Sequence, residues 1–562
     1  MLILAALSGI QDFLFDLRES GGGQARSLRN RSFRIQLIAE CVALRLLEAA
    51  NLPYERLLFS AAGKVCIDGE GLSAQAARAV REAAADMQSR LLNETHGRLR
   101  LSLALEEHSA IFAEQFERAS RALVVSKLRP YAPADRDAET WRDAMLVVGE
   151  LWDADAEAHR DVELGRRLVN ARWLAIRRAD GTLSRDYSDP SRDREGAGDD
   201  ELDTLGLRVR LEADGPTTSD GLVSCSNLAD PDTPPQYVDR RLFHPRRLAR
   251  HVPRDDHGNA IEFVDLAKRA RGAAMLGVLK ADADSLGAAI SAVPRRSADD
   301  GPSAMRALSR SLDRFFAETL EAEKARPDSR WNSIYTVFSG GDDLLAVGPW
   351  DVMLDFAGHA RKLFNERFGA RATPSPASTP LTISAGVAII KPKYPIHLAA
   401  QQAEELLEQA KGEKAPRATT PKDQCAALGS LWKWDDHNKI IGAGKQLADW
   451  VDTCVIQRGL LHTLLELALL RRGEAGPEYQ GVHPAVATSR LAYHVARNWP
   501  RKWDNPRDGH QRAQNDARQW IDAVLREFDQ FDTTTHMPTI HLPAIVRYAM
   551  LATRSGGAEN KT

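Results

Sequence analysis

Two adjacent aspartates, Asp342 and Asp343, follow a glycine pair in the stretch from Trp331 to Gly348, WNSIYTVFSGGDDLLAVG. Side-by-side carboxylates repel each other, so the pair is costly unless solvent or a cation screens it; a divalent metal with oxygen ligands is the natural partner. A second acidic cluster lies upstream, in Lys280-Ala281-Asp282-Ala283-Asp284. Asp282, Asp342 and Asp343 brought to one place, with the Ala283 carbonyl as a further oxygen ligand, would suit magnesium or manganese bridging nucleotide phosphates.

The elements that must position these groups are legible from the pattern. Ile334, Tyr335, Val337 and Phe338 are β-branched or aromatic, and Leu344 to Val347 is an apolar run. With Gly340 and Gly341 between them they predict a tight hairpin with Asp342 and Asp343 at its tip. Met275 to Leu279 predicts a strand that delivers Asp282 to its end, followed by a helix from about Ser285 that Asp284 would cap or leave for the metal. After the hairpin come a helix pattern on Val352, Phe356, His359, Leu363 and Phe364, a loop over 369–380, a strand from Leu381 to Ile390 and a helix from Leu398 to Lys411. One βαββαβ unit accounts for the whole run. Lys411 closes its last helix, where a cation suits the C-terminus and reaches toward a triphosphate.

The combination LGVLKADADSLG, FSGGDDLLAVG, LTISAGVAIIKPKYPI and AEELLEQAK resembles the second palm domain of the large subunit of type III CRISPR effector complexes, the Csm/Cmr family. The resemblance implies that the palm joins ATP into cyclic oligoadenylates through 3′-5′ linkages, with Mg2+ or Mn2+ on Asp282, Ala283, Asp342 and Asp343. It further implies nucleotide contacts from Ser339, Gly340, Gly341 and Lys411. Its partners would be guide RNA, target RNA, and the backbone and small CRISPR subunits. Two alternatives from other classes are a non-catalytic scaffold of the RNA-guided complex and a cyclic dinucleotide synthase like the GGDEF enzymes, which carry Glu where Asp343 stands.

The amino-terminal third repeats the pattern. MLILAAL reads as a buried strand, too short and without the basic flank of a leader or a membrane span. SLRNRSFRIQLIAECVALRLLEAA reads as a long helix, Leu57 to Ser60 and Lys64 to Asp68 as a hairpin around FSAAGK, residues 73–92 as a helix and Leu99 to Leu105 as a strand. Aligned on the later unit, FSAAGK matches FSGGDD and Ser8 falls where Asp282 stands, so this is an internal duplication whose first copy lacks metal ligands. The same hairpin without aspartates argues that the fold does not require them. A bare turn is thus the weaker account of Gly-Gly-Asp-Asp. The family opens its first palm with a similar Ser-Gly-Ile-Gln stretch and an Arg-Ser-Phe helix start, as Ser8 to Gln11 and Arg31 to Phe33 do here. Ser8 and Gly9 are accordingly candidate nucleotide contacts.

The expected architecture is α+β: ferredoxin-like palms over 1–125 and 254–430, a linker domain over 126–253 and a C-terminal helical bundle over 431–562. Helical patterning covers about 137–177, and the polar stretch from Ser184 to Asp203 reads as a loop. Family members often hold a four-cysteine zinc in the linker, but this sequence offers Cys225 with His244, His251 and His257. Surface histidines in the basic segment HPRRLARHVPR are the favoured reading, and zinc is disfavoured. Arg246, Arg247, Arg250 and Arg254 of that segment are candidates for RNA phosphates, a neighbouring subunit or a solvated face. In the C-terminal part, helical patterns run over about 440–472, 485–498, 508–530 and 541–554. The scattered tryptophans are assigned to the core, and the tail from Ser555 to disorder.

The 562 residues suffice for several cores, and 75 basic against 78 acidic residues exclude a global electrostatic grip on nucleic acid. Five cysteines without a CxxC pair fit a reducing cytoplasm rather than a disulfide framework. No His-Asp dipeptide occurs, so the HD-type DNase of many family members is not expected.

Overall fold

A computed structural model describes residues 1–15, 24–61, 63–128, 168, 171–178, 201–286, 300–326, 328–369, 380–498, 511–529 and 537–554. The triple-glycine loop at 21–23 and most of the helical pattern at 137–177 lie outside the described residues. So do most of the polar stretch from Ser184, the 370–379 loop, Trp499, Trp503 and the tail from Ser555. Among the described residues no helix is long and apolar enough to cross a membrane.

Short apolar runs build the first palm's strands, β1 (Leu2–Ser8), β2 (Leu57–Ala61), β3 (Lys64–Asp68) and β4 (Arg100–Glu106), and β1 is buried on both faces from Leu2 to Leu7. They form an antiparallel sheet in the order β2-β3-β1-β4, the arrangement expected of a ferredoxin-like unit. Helices Gln24–Ala50 and Ala74–Glu94 are its crossovers, and Phe112–Lys127 packs on the opposite face with Leu2, Leu4 and Cys66.

The linker holds a second antiparallel sheet, β5 (Trp173–Arg178), β6 (Glu201–Thr204), β7 (Leu207–Glu212) and β8 (Leu222–Asn227), ordered β6-β7-β5-β8. Residues 173–177 are thus strand, against the helical expectation. Ladders to β7 and β8, distant in sequence, decide the conformation of a short apolar run whose periodicity is ambiguous.

The basic segment after β8 is neither a solvated face nor an open phosphate surface. Arg246 donates to the Gln36 carbonyl at 2.7 Å and pairs with Glu40 of the first palm at 2.6 Å. Arg247 pairs with Glu318 at 2.5 Å and with Asp232 at 3.1 Å, and Arg250 bonds the carbonyls of Ala171 and Leu228. Arg254 alone of the four is spent locally, on the Gly258 carbonyl at 2.7 Å. The segment is a strap between domains, which the charge pattern by itself does not distinguish from a solvated face.

Two of the three histidines, His244 and His251, also depart from the surface expectation. His244 is buried, stacked on Tyr54 with ring centroids 3.5 Å apart, and its Nε2 donates to the Arg241 carbonyl while Nδ1 accepts from Ser224. His251 Nε2 donates to the Asn332 carbonyl; His257 is exposed. Both nitrogens of His244 are committed, and among the described residues no cluster of metal-ligating side chains forms.

The second palm repeats the first with β9 (Leu276–Asp284), β10 (Tyr335–Gly340), β11 (Asp343–Pro349) and β12 (Thr382–Ile390), ordered β10-β11-β9-β12. Two short strands, β13 (Gln424–Ala427) and β14 (Ser430–Lys433), extend it beyond β12. Leu276, Val278, Leu345 and Val347 face the first palm and linker, and Leu279, Ala281, Leu344 and Ala346 face the C-terminal helices. A sheet covered on both sides explains the nearly continuous apolar runs.

The helices Trp434–Asp452, Arg458–Arg472, Val486–Asn498, Gln511–Asp529 and Met537–Ala552 follow. The pattern at 440–472 is therefore two helices, parted by a turn where Cys454 takes φ +58°. Trp432, Trp434 and Trp450 are buried, as a core assignment requires.

The palms can be aligned through their ladders. The hairpins share a bulge, between Leu57 and Phe59 and between Thr336 and Phe338, and Ala61 opposes Lys64 as Gly340 opposes Asp343. Lys64 then faces Ala6, where Asp343 faces Asp282. The Leu7 amide donates to the Gly63 carbonyl at 2.7 Å, as the Ala283 amide does to Asp342 at 2.9 Å. Ala6, not Ser8, therefore occupies the place of Asp282, and Ser8 that of Asp284. A slip of two residues keeps every side chain on its own face, so the apolar alternation cannot reveal it.

Candidate active site

The Gly-Gly-Asp-Asp stretch closes β10 onto β11 with a two-residue turn, Gly341-Asp342. Gly341 alone of the pair has positive φ, at +66°, the pattern of a II′ hairpin turn with glycine first. Asp343 begins β11 directly opposite Asp282 on β9, and opposed residues of an antiparallel pair project from one face. Lys280 and Leu345, two positions along the ladder, are the next opposed pair on that face. Asp282 lies two residues inside the end of β9, which continues to Asp284.

Gly386 on β12 lies opposite Lys280, and a Cβ there would collide with the Ala403 carbonyl and Leu407 amide of helix Ile396–Gly412. Its absence lets that helix lie close on the acidic face. Lys411 thereby donates to Asp282 Oδ2, and Lys280 pairs with Glu404.

Burial pushes the Asp282 carboxyl up to about 6; the Lys411 ammonium opposes the shift and the nearby Asp342 adds to it. Burial alone would lower the Lys411 ammonium, but the bond to Asp282 leaves it above its ordinary value. Asp343 is raised well above the usual carboxylate range by burial, then by Asp342, with Lys280 in opposition. Its Oδ1 is enclosed without a hydrogen-bond partner. An orphaned carboxylate oxygen facing a second carboxylate is a hard, all-oxygen donor set that fits a divalent cation. Among the described residues the acids do not assemble into a closed three-ligand cage. Magnesium needs only one or two carboxylates when phosphates and water complete its shell.

Asp343 opens into a cleft of about 730 Å³ between the palms. Lys280, Phe338 and Glu404 line it from the second palm, and Gln11, Ser32 and Arg98 from the first. Gly9 holds φ +82° against the Arg98 carbonyl, and Ser8 Oγ is buried without a partner. Neither residue lines the described cleft.

Two sequence expectations change. Ser339 is fully buried and donates to the Phe316 carbonyl at 2.6 Å, so its hydroxyl is committed to the interior rather than presented to a nucleotide. Asp284 is committed to the sheet, accepting from Thr382 and Ser384 at 2.8 Å and from the Asp423 amide at 3.0 Å, while the helix expected after Ser285 lies almost wholly outside the described residues. A residue not anticipated is Asp313, whose Oδ1 accepts from the Gly341 amide at 3.4 Å and stands 3.6 Å from a Cβ position on Gly340. It lies nearly thirty residues upstream on a polar-looking helix, and no motif marks it.

The family model for the second palm domain of Cas10/Cmr2 matches residues 275–420, and that for Csm1 subunit domain B matches residues 1–140. A curated Cas10/Csm1 single-strand-specific deoxyribonuclease of subtype III-A from Thermococcus onnurineus is 25% identical over 527 residues, covering 83% of this chain and 62% of the relative. One from Mycobacterium tuberculosis is 27% identical over 462 residues, covering 76% and 54%. This chain thus spans a little over half the length of these relatives. The fold matches a Csm1–Csm4 subcomplex with a TM-score of 0.66 at 20% identity, over 98% of this chain and 70% of the other. A Csm1–Csm4 cassette in complex with cA4 gives 0.67 at 19%, over 98% and 70%, and one in complex with one ATP gives 0.63 at 22%, over 94% and 69%. With both palms matched by family models and the whole described architecture shared, the chain belongs to the Cas10/Csm1 family of type III CRISPR large subunits.

Proposed function

We propose that the second palm is a nucleotidyltransferase that converts ATP into cyclic oligoadenylates when the assembled complex engages target RNA. The observation that carries this reading is Asp343 facing Asp282 across the ladder, with an unpartnered carboxylate oxygen at a cleft large enough for nucleotides. Similar chains in complex with one ATP and with cA4 support the substrate and product class.

The 3′-hydroxyl of one ATP attacks the α-phosphate of another, the new P–O bond forms as the bond to pyrophosphate breaks, and the hydroxyl proton leaves to solvent. Repetition and a final intramolecular attack close the ring. Mg2+ or Mn2+ held by Asp282, Asp342 and Asp343, with the Ala283 carbonyl a further candidate ligand, would acidify the hydroxyl and neutralise charge on the leaving group. The protein's own work is alignment. The II′ turn places Asp342 and Asp343, Gly340 leaves room beside the turn, and the first palm walls the cleft so that two nucleotides meet in one orientation. Lys411, once released from Asp282, presents a cation to a triphosphate. Guide and target RNA and the other CRISPR subunits would supply the trigger and the scaffold.

The test is ATP turnover by the assembled complex with cognate target RNA and Mn2+, comparing wild type with Asp342→Ala/Asp343→Ala and resolving products by mass. Cyclic adenylates from the wild type and none from the variant are expected. No product from either, with assembly intact, would overturn the reading in favour of a scaffold.

A further inference from the structure

The hairpin is gripped from behind by one irregular helix. Asp300–Arg314, a π-helical turn Phe315–Thr319 and Leu320–Ala325 run on without a break. A π-turn displaces the backbone hydrogen-bond ladder, and such turns concentrate at functional sites. Here the Phe316 carbonyl inside the turn accepts Ser339 Oγ of β10 at 2.6 Å. Just before it, Asp313 Oδ1 accepts the amide of Gly341, the first central residue of the acidic turn. Gly341 is buried, and a buried amide without an acceptor is costly.

The same helix is clamped by the linker strap. Arg247 Nε donates to Glu318 at 2.5 Å, and the amides of Arg250 and His251 donate to Glu321 Oε2 at 2.8 and 2.6 Å. The strap also binds the hairpin itself, since the Thr336 amide donates to the His251 carbonyl at 3.1 Å. Burial raises the Asp313 carboxyl above its ordinary value, against the Gly341 amide and the guanidinium groups of Arg246 and Arg247, which favour its anion.

We propose that Asp313 is a positioning residue for the reaction: by holding the Gly341 amide it fixes the turn that aims Asp342 and Asp343, and the linker strap sets where Asp313 stands. The proposal rests on the nucleotidyl-transfer reading of the palm. Coupling through a helix explains how a contact far from the acids can tune them, because the strap touches helix and hairpin strand together.

Asp313→Ala and Asp313→Asn in the full chain, within the assembled complex, test it. Mn2+ alone is the binding probe, read by electron paramagnetic resonance without turnover. Asp313→Ala is expected to weaken Mn2+ binding and to lower kcat on the order of ten-fold at unchanged KM for ATP, the scale of one lost charge-assisted hydrogen bond. Asp313→Asn keeps a carbonyl oxygen for the Gly341 amide and is expected to retain most of both. Glu318→Gln, which loosens Arg247 without touching the turn, should shift Mn2+ affinity in the same direction by less. Wild-type Mn2+ affinity and kcat in Asp313→Ala would overturn the proposal. So would losses in the alanine and asparagine variants that track melting temperature while the folded fraction binds Mn2+ normally. Because Mn2+ binding is read separately, a wild type that makes no product would count against nucleotidyl transfer and leave the Asp313 comparison intact.

Discussion

At the scale of the residue, Asp343 combines a carboxylate with an enclosed oxygen that has no donor. Ionising this carboxyl costs stability, because burial and the neighbouring Asp342 both work against its charge. Asp343→Asn is expected to stabilise the metal-free protein by about 1 kcal/mol or more while abolishing ATP turnover. Thermal melts in chelator measure the first effect, and a fall in melting temperature would show that the carboxylate has a stabilising partner. Asp282 carries a pH signature. Its carboxyl is raised from 3.8 to about 6, so the folded protein holds this proton over a range where the unfolded chain has lost it. The stability from this group is present below the unfolded value and is lost as pH rises through about 6. Metal-free protein should therefore lose stability across that window relative to Asp282→Asn. Mn2+ binding, which requires the carboxylate, should strengthen over the same window. Titration of Mn2+ at successive pH values reads the second effect, and a flat profile would contradict it.

At the scale of the element, the close approach of helix Ile396–Gly412 to β12 depends on the missing side chain at Gly386. Gly386→Ala should push the helix outward and cost about 1–3 kcal/mol, as overpacking does. Lys411 and Glu404 ride on that helix, so their contacts to Asp282 and Lys280 should loosen as well. Denaturant unfolding gives the cost, and unchanged stability would mean the sheet and helix re-space freely. Lys411 on the last helix of the second palm and Asp342 in the hairpin turn were legible in the sequence because each follows from a local pattern, period 3.6 or glycine before a turn, whereas Asp343 falls one residue past the expected tip, at the start of β11. Ser339 was misplaced for a related reason. Sequence puts it beside the turn but does not say which side of the strand faces the Phe316 carbonyl.

At the scale of the whole molecule, the strap after β8 ties three bodies together. The ion pair between Arg246 and Glu40 is largely buried, with side-chain exposures of 15% and 6%. Arg246→Ala leaves Glu40 without that guanidinium, and removing one member of a buried pair costs about 3 kcal/mol. A lower melting temperature and faster amide exchange in helix Gln24–Ala50 are expected. Unaltered exchange there would show that the first palm does not depend on the strap.

By itself the sequence determined that the chain holds two βαββαβ units, that one copy keeps an acidic hairpin and that the other carries Ala-Ala-Gly-Lys in its place. These conclusions rest on periodicity, turn residues and internal repetition, which are properties of neighbouring positions. Tertiary structure decided what faces what. The ladder sets Ala6, rather than Ser8, at the place of Asp282, a difference of two residues to which alternation is blind. It also decided that four arginines read as a basic surface are largely spent inside the molecule, and that Asp313 reaches the acidic turn from a distant helix. Such pairings depend on contacts between segments tens to hundreds of residues apart, and no local pattern encodes them.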